Sequence, residues 1–433
     1  MRTLRQLIFV LIACCALSLA AQNSSAAKEL FDQERWPEVV QLLHNIPDRS
    51  AEQEYEYGIA LAHLEKWPEA RQALLRGSRL KPRDKRFPIE LAGVAFKQKN
   101  NLQAIGYLRR ALRLDHKDDY ANDFLATLSF LQGNSEAAVK YWNRVGKPQI
   151  AALRNEPPLR LRPALLDRAL AYSPASVLRL DDLRAAQVRL EQMDVFSSYR
   201  IDLVARADGK FDAVLRAREL NGFGNSTAEA LLRTFRGLPF LEVTPEYDNL
   251  HGSAINFTSL ARWDPDKRRY AASVSGPLRQ NPLWRVRLGG DFRNENWQVR
   301  QGFTGPAPVL ASLNLRREAL GAEVARLVGW RLRWSLGAEF SHRDFRNVVP
   351  GTVLPPTLLA QGYQIRQTAR LSYEWLRSPE RRLTISSGVT SEASRLWSLP
   401  GESSEKLQGL LEAHWFPRSR GDDLETLWRI RGG

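Results

Sequence analysis

The 433-residue chain is 43% hydrophobic and 26% charged, which excludes a disordered polypeptide and leaves room for two or three folded domains. Its formal charge of +15 comes from 63 lysines and arginines against 48 acidic residues. That excess suits nucleic acid, an anionic lipid surface or an anion channel without choosing among them.

Residues 1–21 read as a secretory signal peptide: a basic start, "MRTLR", an apolar run, "QLIFVLIACCALSLAA", and small residues for cleavage near Ala20 or Ala21. The run is short for a membrane span. Leu11-Ile12-Ala13-Cys14 also matches a lipoprotein cleavage box, but little of the apolar run precedes it. Both cysteines, Cys14 and Cys15, fall in this segment, so a mature chain has no disulfide framework and no thiol or thiolate-metal chemistry. No later segment holds 18 uninterrupted apolar residues, so any membrane crossing must use strands.

Ala70, Ala104 and Ala138 recur every 34 residues within "WPEARQALLRGSRLKP", "NLQAIGYLRRALRLD" and "NSEAAVKYWNRVGKP". Gly58, Gly93 and Ala126 recur ahead of them, Trp36-Pro37-Glu38 anticipates Trp67-Pro68-Glu69, and Pro82 closes one unit. Each unit reads as two apolar-periodic helices and a polar turn. Over 28–148 this resembles the tetratricopeptide repeat family, whose arrays offer a surface for partner segments. Tyr55, Tyr57, Phe96, Tyr107 and Tyr141 are expected to pack between helices.

At 160–220 a small α/β module is expected. "PALLDRALAYS" and "RLDDLRAAQVRLEQMDVF" read as helices, and "SSYRIDLVAR" and "FDAVLRAREL" as strands joined by a turn with Asp208-Gly209. A short leading strand is a further expectation. The run from "RLEQMDVF" to "RAREL" resembles a POTRA domain, the periplasmic module that precedes the barrel in the outer-membrane assembly-factor (bacterial surface antigen) superfamily. The resemblance implies a sheet edge that receives client polypeptides by strand addition.

From 236 to 433 strand-like alternation recurs, with twelve candidate strands. In "WRVRLGGDFR", Trp284, Val286, Leu288, Gly290 and Phe292 oppose Arg285, Arg287, Gly289, Asp291 and Arg293. In "WRLRWSLGAEF", Trp330, Leu332, Trp334, Leu336, Ala338 and Phe340 oppose Arg331, Arg333, Ser335, Gly337 and Glu339. Long strands with Trp and Tyr near their ends predict an antiparallel transmembrane β-barrel rather than a soluble sandwich. "GLPFLEVTPEYDNLHGSAINFTSLARWDPDKRRYAASVSGPL" resembles the opening hairpins of the same superfamily's barrel. That family's usual sixteen strands imply a barrel left incomplete at Gly433, and Ile430-Arg431-Gly432 matches the first three residues of its lumen-loop motif.

Arg285, Arg287, Arg293, Arg331, Arg333 and Arg370 are expected to face a lumen, either attracting an anion or paired with acidic neighbours. No metal-ligand cluster, nucleophile elbow or phosphate loop occurs. "SHRDF" at 341–345 lacks the other kinase elements, and "GFGN" at 222–225 lacks a dinucleotide site's context. No enzyme activity, cofactor, metal or nucleic-acid partner is therefore expected. The superfamily resemblance implies an outer-membrane protein with its N-terminal domains in the periplasm, touching lipid, periplasmic proteins and client polypeptides that it helps to insert or translocate. The alternatives are a polysaccharide-export porin with an arginine-lined lumen and a secreted soluble scaffold.

Overall fold

The computed structural model describes residues 25–302, 307–349, 354, 359–397, 403–417 and 425–433; the expected signal peptide at 1–21 lies outside them. The chain forms two compact units, one of helices up to Lys147 without Asn134–Glu136, and one of Asn134–Glu136 with Pro148–Gly433.

The first unit is an array of tetratricopeptide-like helical repeats: α1 (25–32), α2 (Trp36–His44), α3 (Ala51–His63), α4 (Trp67–Leu80), α5 (Arg86–Lys97), α6 (Asn101–Leu114), α7 (Asp119–Leu131) and α8 (Ser135–Trp142). The two Trp-Pro-Glu copies open α2 and α4, with proline in the first turn, where its missing N–H costs nothing, and glutamate against the positive end of the helix. Ser50 and Gln53 form a reciprocal capping box on α3.

Ala70, Ala104 and Ala138 are fully buried. Gly58 lets α3 meet α4: a Cβ there would lie 2.7 Å from Leu74 Cγ. Gly77 does the same for Phe87, whose Cε1 a Cβ would meet at 2.2 Å. Gly93, grouped with Gly58 by the repeat, has open space beside it. The repeat aromatics pack between helices: Tyr55 is edge-on to Phe87, Phe96 is edge-on to Phe124, and Tyr57 bonds His44.

One buried group is at odds with this core. Glu56 is buried and its Oε2 has no hydrogen-bond partner among the described residues. Burial, with Glu52 and Asp32 nearby, pushes its carboxyl from 4.5 up to about 7. The folded array therefore binds a proton that the unfolded chain does not, so stability falls as pH rises from about 4.5 to about 7. Glu56→Gln should flatten that slope and stabilise the array at pH 8 by on the order of 1–2 kcal/mol, below what the whole shift would give because water screens part of the charge. Helical melting of both chains at pH 5 and pH 8 checks this.

The second unit opens with a small module: β1 (Ile150–Glu156), α9 (Pro163–Leu170), α10 (Leu180–Met193), β2 (Phe196–Ala205) and β3 (Phe211–Glu219), in a three-stranded sheet of order β1-β3-β2. β1 runs parallel to β3 and β2 antiparallel to it. The leading strand lies N-terminal to the expected start at 160, because its partner β3 is some 60 residues downstream. Leu183, Val188 and Leu190 bury the stripe of α10 against this sheet.

A nine-residue helix, α11 (Thr227–Phe235), follows, and then a large antiparallel sheet of eleven strands. Its members are β4 (Glu242–Val243), β5 (Glu246–Tyr247), β6 (Asn256–Trp263), β7 (Lys267–Pro277), β8 (Trp284–Arg300), β9 (Val309–Val328), β10 (Leu332–Arg346), β11 (Gly362–Ser378), β12 (Leu383–Leu396), β13 (Ser403–Trp415) and β14 (Thr426–Gly432). From β14 back to β6 every strand pairs with its sequence neighbour, and β4 and β5 pair with β6. No pairing joins β14 to the β4 and β5 end among the described residues, so the sheet is open where a barrel would be closed. Two pairs of expected strands fuse into β8 and β9, because Glu295 and Ala319 keep the ladder in register and no turn residue interrupts it.

Candidate functional site

Cross-strand partners share a face, so the register assigns each side chain of the sheet. One row runs Val286, Val324, Leu336, Ala369, Ser391 and Leu407 across six strands. Another runs Trp284, Arg326, Trp334, Leu371 and Val389. This face is apolar and uncovered: Leu288 is 56% exposed and Leu320 62% exposed. A soluble monomer rarely leaves an apolar patch of such extent in water.

Aromatic side chains border the band at both ends. At one end Trp284 and Trp334 meet edge-on at 5.7 Å, with Arg326 over Trp284. At the other, Phe340 stacks on Tyr363 at 5.6 Å and touches Trp397. Past Phe292 on the same face come Asn294 and Asn296, opposite Arg316 and Asn314. The eight residue steps from Trp284 to Phe292 cover about 27 Å of strand, or about 20 Å of height at a tilt of about 40°.

The opposite face is charged, with a floor of Gly289, Gly321 and Gly337 under a pocket of about 620 Å³. Asp291 accepts both Arg269 (2.8 Å) and Arg293 (2.6 Å). Arg370 lies 2.7 Å from Glu323, Arg317 pairs with Glu339, and Arg429 lies 2.6 Å from Glu412. Exposed pairs of this kind add little stability each; they neutralise one another.

The six arginines expected in a lumen separate into three groups. Arg293 and Arg370 are on the charged face and ion-paired. Arg287 and Arg333 are on the same face and carry no ion pair or side-chain hydrogen bond among the described residues; Arg287 lines the pocket opposite Glu323 in the ladder. Arg285 and Arg331 do other work. Arg331 sits in the turn before β10 with its guanidinium over the Trp330 ring, so neither residue belongs to a strand face. Ile430, Arg431 and Gly432 are not in a loop either: they form β14 and pair with Leu411, Leu410 and Gly409 of β13. Alternation continues through Trp428, Arg429 and Ile430, which lets the ladder extend to them.

Arg285 joins the module to the sheet. It donates to the Gln192 carbonyl, to the Asp194 carboxylate at 3.0 Å and to Ser275 Oγ at 2.9 Å. Asn256 donates to the Asp194 carbonyl at 2.8 Å. The free carbonyls that end α10 are thus satisfied by side chains of β8 and β6. Trp330 adds a bond to Asp181, and Arg168 reaches the carbonyls of Arg279 and Gln280. All these contacts lie at the end of the sheet with the turns 278–283, 329–331 and 379–382; Arg300, Val309, Arg346 and Gly362, where β8 to β11 end or begin, lie at the other end. Arg285→Ala should free the end of α10, costing about 1–2 kcal/mol locally. Amide exchange at 191–195 should then run roughly tenfold faster.

Among the described residues no group of histidine, cysteine and carboxylate side chains could hold a metal ion. No protein-family model matches the chain, and no curated protein does. Solved structures similar to its helical part include MamA, 20% identical with a TM-score of 0.28 over 29% of this chain and 75% of that one. PilF of Pseudomonas aeruginosa is 22% identical with a TM-score of 0.27, over 29% of this chain and 59% of that one. YrrB, described as a TPR protein with an unusual peptide-binding site, is 16% identical with a TM-score of 0.27, over 29% of this chain and 66% of that one.

Proposed function

We propose that this is an outer-membrane protein of the assembly-factor type, in which the eleven-stranded sheet is the wall of a transmembrane barrel and the module and repeats lie in the periplasm. The observation that carries this reading is the uncovered apolar band with aromatic borders, backed by a charged face. Its height is near the roughly 25 Å apolar belt of outer-membrane barrels, and hydrocarbon is the medium in which such a band is stable. The module's attachment at the short-turn end supports a periplasmic position for it, since barrels keep short turns there. Its β1-β3-β2 sheet, whose β2 edge carries no strand partner among the described residues, suits strand addition by a client polypeptide. The repeats would recruit periplasmic partners, and the role is insertion or translocation of polypeptides.

Expression with the native leader in a Gram-negative host, followed by fractionation and a heat-modifiability gel, tests the reading. Recovery in the outer membrane with a heat-dependent mobility shift is expected; a chain found wholly in the soluble periplasm would overturn it. Arg287 and Arg333, without ionic partners among the described residues, favour one second reading, export of an anionic polymer. Replacing both with glutamine decides between them: lost anion selectivity in single-channel recordings with client insertion intact supports export.

A further inference from the structure

One face of the repeat array is built from α3, α5 and α7. Tyr55 and Ile59 lie one turn apart on α3, and the 34-residue period puts Ile89 and Gly93 of α5, and Asp123 and Thr127 of α7, at the matching positions. Each of these is partly exposed among buried neighbours. Lateral contacts hold the three helices side by side: Arg86 donates to Glu52 at 2.8 Å, Tyr55 Oη donates to Glu90 at 3.2 Å, and Phe96 meets Phe124 edge-on at 5.6 Å. Gly93 leaves a hollow in the middle of this face, because a Cβ there would meet nothing within 4 Å.

Two carboxylates here lack a cation. Glu56, one turn from both Glu52 and Ile59, is 6% exposed, and its Oε2 has no hydrogen-bond partner among the described residues. Glu90 is half-buried and accepts the Tyr55 hydroxyl, and burial pushes its carboxyl above the usual range. Neither forms an ion pair among the described residues. Arg86 is held by Glu52 and Asp84, at 2.8 Å each, and Lys28 forms no ion pair with Glu56. A carboxylate out of water without a cation is costly, and a cation beside it gains a charge-assisted bond. We propose that this face binds an extended basic peptide of a partner protein, with an apolar side chain in the hollow at Gly93 and lysine or arginine against Glu56 and Glu90. At about 10 Å between axes the three helices span about 20 Å, the length of about six extended residues. This inference rests on the reading that the repeats recruit partners, and it names the partner's chemistry.

The test uses the full chain in detergent micelles at pH 8, where Glu56 is ionised. Three dye-labelled peptides share the pattern Gly-Ser-Xaa-Leu-Phe-Xaa-Leu-Ser-Gly, with arginine, glutamine or glutamate as Xaa, and fluorescence anisotropy reads their binding. The arginine peptide should bind about tenfold tighter than the glutamine peptide, with the glutamate peptide weakest. Net charge cannot produce that order, because a chain of +15 attracts the glutamate peptide. Glu56→Gln with Glu90→Gln should remove the arginine peptide's advantage and leave the glutamine peptide unchanged. Unfolding cannot mimic this, since Glu56→Gln should stabilise the array. Gly93→Leu should block every peptide, and the open space beside Gly93 lets that variant fold, as an unchanged helical melt would show. An arginine peptide with no advantage, or one that keeps its advantage in the double variant, overturns the inference. If the glutamate or glutamine peptide binds best and Gly93→Leu blocks it, the face recruits partners and only the basic chemistry fails. If no peptide binds, or Gly93→Leu changes nothing, this face is not the recruiting surface and both readings of it fail.

Discussion

Leu288→Arg should cost the protein about 2–4 kcal/mol of folding free energy in phospholipid vesicles, among the largest effects any single surface residue could have here. Leu288 lies midway between Trp284 and Phe292, the border residues of its strand, and is 56% exposed. A soluble fold would accept arginine at so exposed a position within about 0.5 kcal/mol. In hydrocarbon the same guanidinium is far from water and from any carboxylate, and its desolvation is uncompensated. Ser273→Arg provides the contrast, because Ser273 faces the charged pocket; it should shift stability by less than about 1 kcal/mol. Urea unfolding from vesicles, followed by tryptophan emission, measures both.

Phe87→Ala should unfold much of the repeat array. The ring is fully buried, lies in the hollow that Gly77 leaves, and meets Tyr55 edge-on at 5.7 Å. Removing it leaves a cavity between two repeats and costs about 3–5 kcal/mol, a large part of the roughly 5–15 kcal/mol that holds a domain together. Helical melting of the full chain should move down by about 10–20 °C. Gly77→Ala should act in the same direction from the other side, because its new methyl must displace the ring. A melt unchanged by either substitution would mean that this contact does not hold the repeats.

The helical array was legible in the sequence because each repeat packs on its neighbours, so the small residues recur at the period of the fold. The two faces of β8 were legible because parity alone determines them. What stayed hidden depends on distant partners. Arg285 has the same spacing as Arg287, yet it caps a helix some 90 residues earlier in the chain, and nothing local distinguishes the two. Trp330 and Arg331 continue the alternation of β10 by letter, but the turn and the bond to Asp181 take them out of the strand. β1 looks unremarkable until β3 lies beside it. α11, by contrast, carried a readable signal: Ser226 and Glu229 are spaced as a capping box ahead of Leu231 and Leu232. It is a single helix between two stretches of strand-like alternation, too short for its own periodicity to stand out from theirs.

Quenching of the native tryptophans by brominated phospholipids tests the central claim most directly, because it needs no substitution. Trp263, Trp284, Trp334, Trp397 and Trp428 lie on the apolar face or at its margins, while Trp36, Trp67 and Trp142 belong to the helical repeats. Bromines placed near the headgroups should quench a substantial part of the emission, and bromines at the chain ends should quench less, since the rings border the band at both ends. Emission indifferent to bromine at either depth would contradict the account, and would mean that the apolar face of the sheet never meets lipid.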